Sequence, residues 1–290
     1  EDFAQSLDEV VRAQEEPFGG PSICMQFFVM KTARQNGIPV LLDGQGGDET
    51  LLGYERYYIG HFLNLLKRRG LRHAVKSLVD CWKNNANMSG LRILQYLVYF
   101  SSARLRYWNY RHRNRYLRKS PSLPESMRMN AKAIWNILKL QKLEIEDANL
   151  PRLLRFEDKN SMWHSIETRL PFLDYRAVET ALSLPGDTKI RQGWTKYVLR
   201  RFMDGKMPAE ITWRKNKFGF EAPDRLWLTR HAAIMHKTVA SSPLLQALSK
   251  PGALERLYLG LDIETRWRLY SVALWERAFS VQAGSRPSAA

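Results

Sequence analysis

The chain has 290 residues, 44% hydrophobic and 26% charged, an ordinary balance for a soluble globular protein of one large or two small domains with a sizeable core. No apolar run reaches the length that crosses a bilayer, and two cysteines, Cys24 and Cys81, outside any CxxC pair, exclude a disulfide framework. Forty-five Lys and Arg against 29 Asp and Glu leave a net charge of +16, which points to anionic partners.

The opening EDFAQSLDEVV has neither the basic start nor the apolar block of a signal peptide, and no Met precedes it. The expectation is a piece of a longer polypeptide in a reducing cytoplasm. Residues 22–36 read as a helix: Ser22 stands as cap after Gly20-Pro21, Ile23, Phe27 and Met30 recur on one face, and Gly37 ends it. The apolar run at 38–42 is short and β-branched enough to be a strand buried on both faces. A helix feeding such a strand is half of an α/β unit. After a glycine turn, residues 50–69 resume helical periodicity. No strand is read over 71–150, where Leu91, Leu94, Leu97 and Val98 fit helices and loops fall at NNANMSG and KSPSLPES.

Within that helical stretch, RLRYWNYRHRNRYLRKS alternates Arg104, Arg106, Arg111, Arg113, Arg115, Arg118 and Lys119 with Tyr107, Trp108, Tyr110 and Tyr116. Cations between aromatic faces suit a phosphate backbone and stacked bases. A basic helix surface, or a face for an absent partner domain, is the plainer account, and no nucleic-acid motif accompanies them. Small polyanions such as ATP are the simpler partner. Residues 151–230 are dense in turns, and residues 276–290 read as a disordered tail after a folded region at 1–275. The pattern predicts an α/β fold with an incomplete parallel sheet and a large, mostly helical C-terminal portion.

The stretch LLDGQGGDET at 41–50 packs three glycines and three acids into one turn. In open parallel sheets ligands sit beyond the carboxyl ends of strands, the position of Asp43. Gly44, Gly46 and Gly47 let backbone N–H groups approach a ligand without a Cβ in the way, and the following helix points its positive end at them. That geometry suits phosphate, yet Asp48 and Glu49 repel phosphate unless a cation intervenes. Mg²⁺ resolves the conflict, because it takes one or two carboxylates together with substrate phosphate oxygens. The plain alternative is two acids favouring a helix N-terminus. The turn is not a Walker A loop, since no GxxxxGK(S/T) occurs, and Glu49 stands where GxGxxG needs its last glycine.

The stretch VLLDGQGGDETLLGY resembles the pyrophosphatase-type motif in the synthetase domain of glutamine-hydrolysing asparagine synthetases. Three further blocks agree in order: EEPFGGPS at 15–22, FEDKNSMWHSIETRLPFLD at 156–174, and IRQGWTKYVLRRFMDGKMPAEITWRKNKFGFEAP at 190–223. The resemblance implies an adenine-nucleotide alpha-hydrolase-like sheet and a ligase using ATP and Mg²⁺. In that reaction a carboxylate, aspartate in the first instance, attacks the α-phosphorus of ATP to give an acyl-adenylate and pyrophosphate. Ammonia from an N-terminal glutaminase domain then displaces AMP. It also implies nucleotide contact at Asp43, Gly44 and Gly46, Mg²⁺ at Asp48, adenylate positioning by Gln45, and phosphate charge stabilisation by Lys217.

Glu167 and Arg169 are expected to form an ion pair, structural or holding the loop to the site. Asp174 is expected to cap the helix carrying Val178, Ala181 and Leu182. His164 reads as a local packing residue, and none of the six histidines has metal-ligand spacing.

Two departures from the family matter. Gln45 stands where asparagine-forming members carry Glu, and an amide accepts no proton as a carboxylate does. The Ser-Gly-Gly-x-Asp-Ser pyrophosphate loop and the glutaminase cysteine occur nowhere in the chain and are expected before residue 1. The chain alone is therefore expected neither to hydrolyse glutamine nor to adenylate efficiently. Two alternatives stay open: a related ligase amidating a peptide or saccharide-precursor carboxylate, and a non-catalytic basic adaptor binding RNA or polyanions. A homodimer is also left open.

Overall fold

A helix does form where Ile23, Phe27 and Met30 share a face, and its apolar side is buried. The computed structural model describes residues 2–84, 89–119, 121–122, 124–215 and 222–282. In it α1 (Asp2–Gln14) precedes α2 (Ser22–Gln35), and Gly37, at φ 72°, closes α2 in a left-handed conformation. The cap differs from expectation. Pro21 takes the N-cap position and Ser22 is the first helical residue, with no side-chain cap bond; a proline needs no N–H partner at a helix start.

Strand β1 (Val40–Leu42) pairs in parallel with β2 (Glu167–Arg169), setting Val40 opposite Glu167, Leu41 opposite Thr168 and Leu42 opposite Arg169. The sequence reading missed β2, because Glu-Thr-Arg has no apolar run and its partner lies far away in the chain. Nor is β1 buried on both faces: Leu42 is 76% exposed and Ile38 45%. Only Leu41 reaches a small core, formed by Met30, Ala33 and Ile166.

Between the strands the chain is helical. The periodicity expected over 50–69 is broken at Leu52, which has φ 55°, so it splits into α3 (Gly47–Thr50) and α4 (Arg56–Arg69). There follow α5 (Leu71–Asn84), α6 (Gly90–Ser101), α7 (Ala103–Arg113), α8 (Glu125–Ala133), α9 (Ile137–Leu143), a π-turn at Glu144–Ala148 and α10 (Leu150–Trp163). After β2 come a 3₁₀ turn at Pro171–Leu173 and α11 (Tyr175–Ser183). Asp174 caps α11 as expected, accepting the Arg176 N–H at 3.0 Å. Short helices α12 (Gly186–Lys189), α13 (Tyr197–Met203) and α14 (Ala209–Thr212) lead to α15 (Asp224–Arg230), α16 (Ala232–Ala240), α17 (Pro243–Leu248), α18 (Ala253–Leu257) and α19 (Ile263–Phe279). The tail expected from 276 thus starts inside α19, and residues 283–290 lie outside the described residues.

Two larger cores flank this arrangement. One joins α1, α2 and α10 to the C-terminal helices around Trp267, which is fully buried, packs 5.6 Å from Phe18 and donates its indole N–H to the Phe18 carbonyl at 3.0 Å. The other joins α4, α5, α6 and α9 around Tyr57, Ile59, Ile137 and Leu140. Each fully buried large side chain contributes roughly 1.5–3 kcal/mol of hydrophobic stabilisation. Cys24 and Cys81 are buried thiols outside any disulfide, one in each core.

Candidate functional site

Parallel pairing brings the carboxyl ends of β1 and β2 to the same edge. Residues 43–47 and the Leu-Pro-Phe-Leu-Asp segment at 170–174 leave the sheet side by side, tied by the Asp43 N–H donating to the Arg169 carbonyl at 3.0 Å. The glycines of the turn divide in role. Gly46 has φ 85°, and a Cβ there would lie 2.2 Å from Leu173 Cδ2, so this glycine lets the second segment close over the turn. Gly44 is exposed, and among the described residues nothing lies within 4 Å of the place a Cβ would occupy. Its face is the open one.

The adjacent acids also separate. Glu49 is 1% exposed and accepts hydrogen bonds from the Tyr54 hydroxyl at 2.8 Å and from Asn149 Nδ2 at 2.7 Å, which makes it a core anchor. Asp48 stays at the edge, its side chain 22% exposed, with the Lys196 ammonium 3.2 Å from Oδ1. Glycine at residue 53 leaves the pair its present room: a Cβ there would stand 2.0 Å from Asp48 Oδ1 and 2.3 Å from Lys196 Cε. Lys196 itself holds φ 52°, a conformation that costs a non-glycine residue on the order of 1 kcal/mol and collects at functional sites. Sequence reasoning passed over Lys196, although it lies in the quoted Gly-Trp-Thr-Lys text. Lys217, the lysine expected to face phosphate, lies outside the described residues.

A polar strut supports the turn from within. Lys189, fully buried, donates to Gln141 Oε1 and to the Ala181 carbonyl, both at 2.6 Å, while Gln141 Nε2 donates to the Glu49 carbonyl at 3.2 Å. Burial pushes the Lys189 ammonium down to about 8.

Asp43 has an unforeseen neighbour. Glu157 on α10 is 1% exposed, its carboxyl set against the Asp43 carboxylate and the Thr168 side chain. Burial first, and the facing Asp43 carboxylate second, push its carboxyl up to about 7, while nearby Thr168 pulls the other way. The signal was legible: Phe156, Glu157, Asn160 and Ser161 share one buried helical face, and an acid among them is out of place. Gln45 sits half-buried in the same turn.

The remaining expectations are local. His164 packs edge-on against Phe27, 4.4 Å between ring centroids. Arg169 and Glu167 pair at 2.8 Å, both exposed, as a surface ion pair within β2. A mostly apolar groove of about 690 Å³ lies between α3, Phe172, α11 and α13, and Asp43, Gln45 and Asp48 do not line it. Among the described residues no group of three or more His, Cys, Asp or Glu is placed to hold a metal ion.

Parallel strands ending in a glycine turn, with a carboxylate and an ammonium at its mouth, define an α/β protein with an incomplete parallel sheet. The sequence profile of the family described as asparagine synthase matches residues 1–277, and the chain belongs to that family. It is 28% identical over 299 residues to "Putative asparagine synthetase (glutamine-hydrolyzing)" of Mycobacterium tuberculosis, covering 96% of this chain and 45% of that protein. It is 27% identical over 251 residues to "Asparagine synthetase (glutamine-hydrolyzing) 1" of Bacillus subtilis, covering 79% and 37%. A 60-residue stretch is 43% identical to "Asparagine synthetase (glutamine-hydrolyzing)" of Gallus gallus, covering 20% and 11%. The chain spans less than half the length of these curated relatives.

Proposed function

We propose that the chain supplies the strand-end nucleotide site of an ATP-dependent ligase that amidates a carboxylate, in the manner its relatives' names describe. The observation that carries this reading is the Asp48–Lys196 pair, 3.2 Å apart, in the glycine turn that leaves β1 through Asp43 and the exposed Gly44. The substrate is aspartate or, given Gln45, a carboxylate on a peptide or saccharide precursor. Glutamine is the nitrogen source, through a glutaminase domain on the longer protein, and two buried cysteines outside any disulfide accord with a cytoplasmic setting.

Each residue has a task in that chemistry. Gly44 and Asp43 border the nucleotide, with Gly46 shaping the turn that holds them. Gln45 orients the acyl-adenylate by hydrogen bonding. The Lys196 ammonium offsets negative charge that builds on the phosphates as pyrophosphate departs, and Lys217 is assigned the same task from its sequence context. Mg²⁺, when bound, neutralises the leaving pyrophosphate; Asp48 would hold it, since one carboxylate completed by phosphate and water oxygens is a donor set this ion accepts. Glu157, paired with Asp43, is a base of suitable strength to take the proton released as ammonia adds to the acyl carbon. It thus restores the acceptor that Gln45 removes.

The test is acceptor-dependent exchange of pyrophosphate into ATP by the full-length protein. Exchange with a carboxylate acceptor is expected, with Asp48→Ala lowering it by roughly 100-fold or more. The isolated 290-residue chain is expected to show little. Exchange undiminished in Asp48→Ala would remove the site, and none in the full-length wild type with any carboxylate would remove the reaction.

A further inference from the structure

The basic segment at 104–119 is left unused by this chemistry, and the structure sorts its arginines into two sets. Arg106 is 7% exposed and lies against Tyr99 and Phe100, 5.7 and 5.5 Å from their ring centroids. Arg113 turns to Asp262 and Glu264, at 2.6 and 2.8 Å. Both are consumed by the fold. Arg104, Arg111, Arg115 and Arg118, joined by Lys250, instead surround a cavity of about 490 Å³ whose wall includes Trp108. Among the described residues no Asp or Glu lines it.

The cavity is built by tertiary contacts. Leu117 and Ser249 form an antiparallel bridge, the Arg118 N–H donates to the Leu248 carbonyl at 3.0 Å, and the Lys250 N–H donates to the Tyr116 carbonyl at 2.9 Å. The Arg118 guanidinium adds a bond to the Ser249 carbonyl at 2.7 Å. These contacts hold Lys250 against the basic face of α7. Trp108, 67% exposed, presents its indole beside the cations and stacks on His112, 5.7 Å between centroids. Five cations around one cavity repel each other, and an anion between them relieves the cost. Guanidinium forks match phosphate oxygens, and an exposed indole face accepts a flat ring.

We propose that this cavity binds a nucleoside di- or triphosphate, with the base on Trp108 and the phosphates among Arg104, Arg111, Arg115 and Lys250. The site shares no residue with the glycine turn, and its existence does not depend on the function proposed above. A small ligand is favoured over RNA on two grounds. The volume falls within the range of small-molecule sites, roughly 300–1,000 Å³. The diversion of Arg106 and Arg113 also interrupts any continuous cationic track along α7.

The experiment uses the full-length protein with ADP, inorganic pyrophosphate, adenosine and a single-stranded 20-nucleotide RNA, by calorimetry, together with photocrosslinking of an azido-ADP and peptide mapping. Crosslinks are expected in residues 104–118. Trp108→Ala should weaken ADP about tenfold at this site while barely changing pyrophosphate. The double variant Arg111→Gln/Arg115→Gln should weaken both by about tenfold or more. Absence of crosslinks from this segment in the wild type overturns the proposal even if the variants fold poorly. So does an ADP affinity untouched by either variant, pyrophosphate binding as tightly as ADP, or RNA binding far tighter than ADP.

Discussion

Glu157 is the side chain whose burial is hardest to reconcile with structure alone. A buried carboxyl costs stability when ionised, and Asp43 raises that cost. Its pKa moves up from 4.5 to about 7, so between those values the folded chain keeps a proton that the unfolded chain has lost. By linkage the contribution to stability falls as pH rises across that window. In Glu157→Gln this decline should disappear, so the variant gains on the wild type from pH 5 to pH 8 in urea unfolding. An unchanged difference across that range would show that Glu157 does not titrate there. Under the proposed function, the same variant of the full-length protein should lose amide formation while retaining pyrophosphate exchange, since adenylation precedes the proton transfer in that reaction.

Helix α10 carries Glu157 to the sheet edge, and a buried amide network fixes how it sits. Gln14 Nε2 on α1 donates to Asn160 Oδ1 at 2.6 Å, and Asn160 Nδ2 donates to the Ile23 carbonyl at 3.1 Å and to Gln26 Oε1 at 3.0 Å on α2. Three helices are thereby locked at a fully buried point. Asn160→Leu leaves the Gln14 amide and the Ile23 carbonyl without this partner, at a cost of about 1–3 kcal/mol. The measurement is the denaturant midpoint. Chemical denaturation indistinguishable from wild type would mean the network adds nothing beyond packing. Helix α2 was legible from its apolar spacing, and α11 from Asp174 and the residues behind it. Strand β2 was not, because its three residues pair with a strand remote in sequence and show no pattern of their own.

Across the molecule the charge of +16 is the dominant long-range term. Part of it is neutralised locally, as at Arg113, while the cavity on α7 gathers cations without acids. Self-repulsion of this kind is screened by salt. Stability should therefore rise as sodium chloride is raised from 0.05 to 0.5 M, read from thermal unfolding in a non-binding buffer. A fall over that range would mean that the ion pairs outweigh the repulsion.

Membership of the asparagine synthase family, the helical character of 71–150 and the placing of the glycine turn behind a strand were all present in the order of residues. Each depends on local spacing or on a motif contiguous in the chain. The partners of that turn were not. Lys196 beside Asp48, Leu173 over Gly46 and Glu157 against Asp43 come from distant segments that meet only once the strands pair and α10 is locked in place. Side-chain charge is written residue by residue, whereas the field at a site is a sum over neighbours. Folding alone chooses those neighbours.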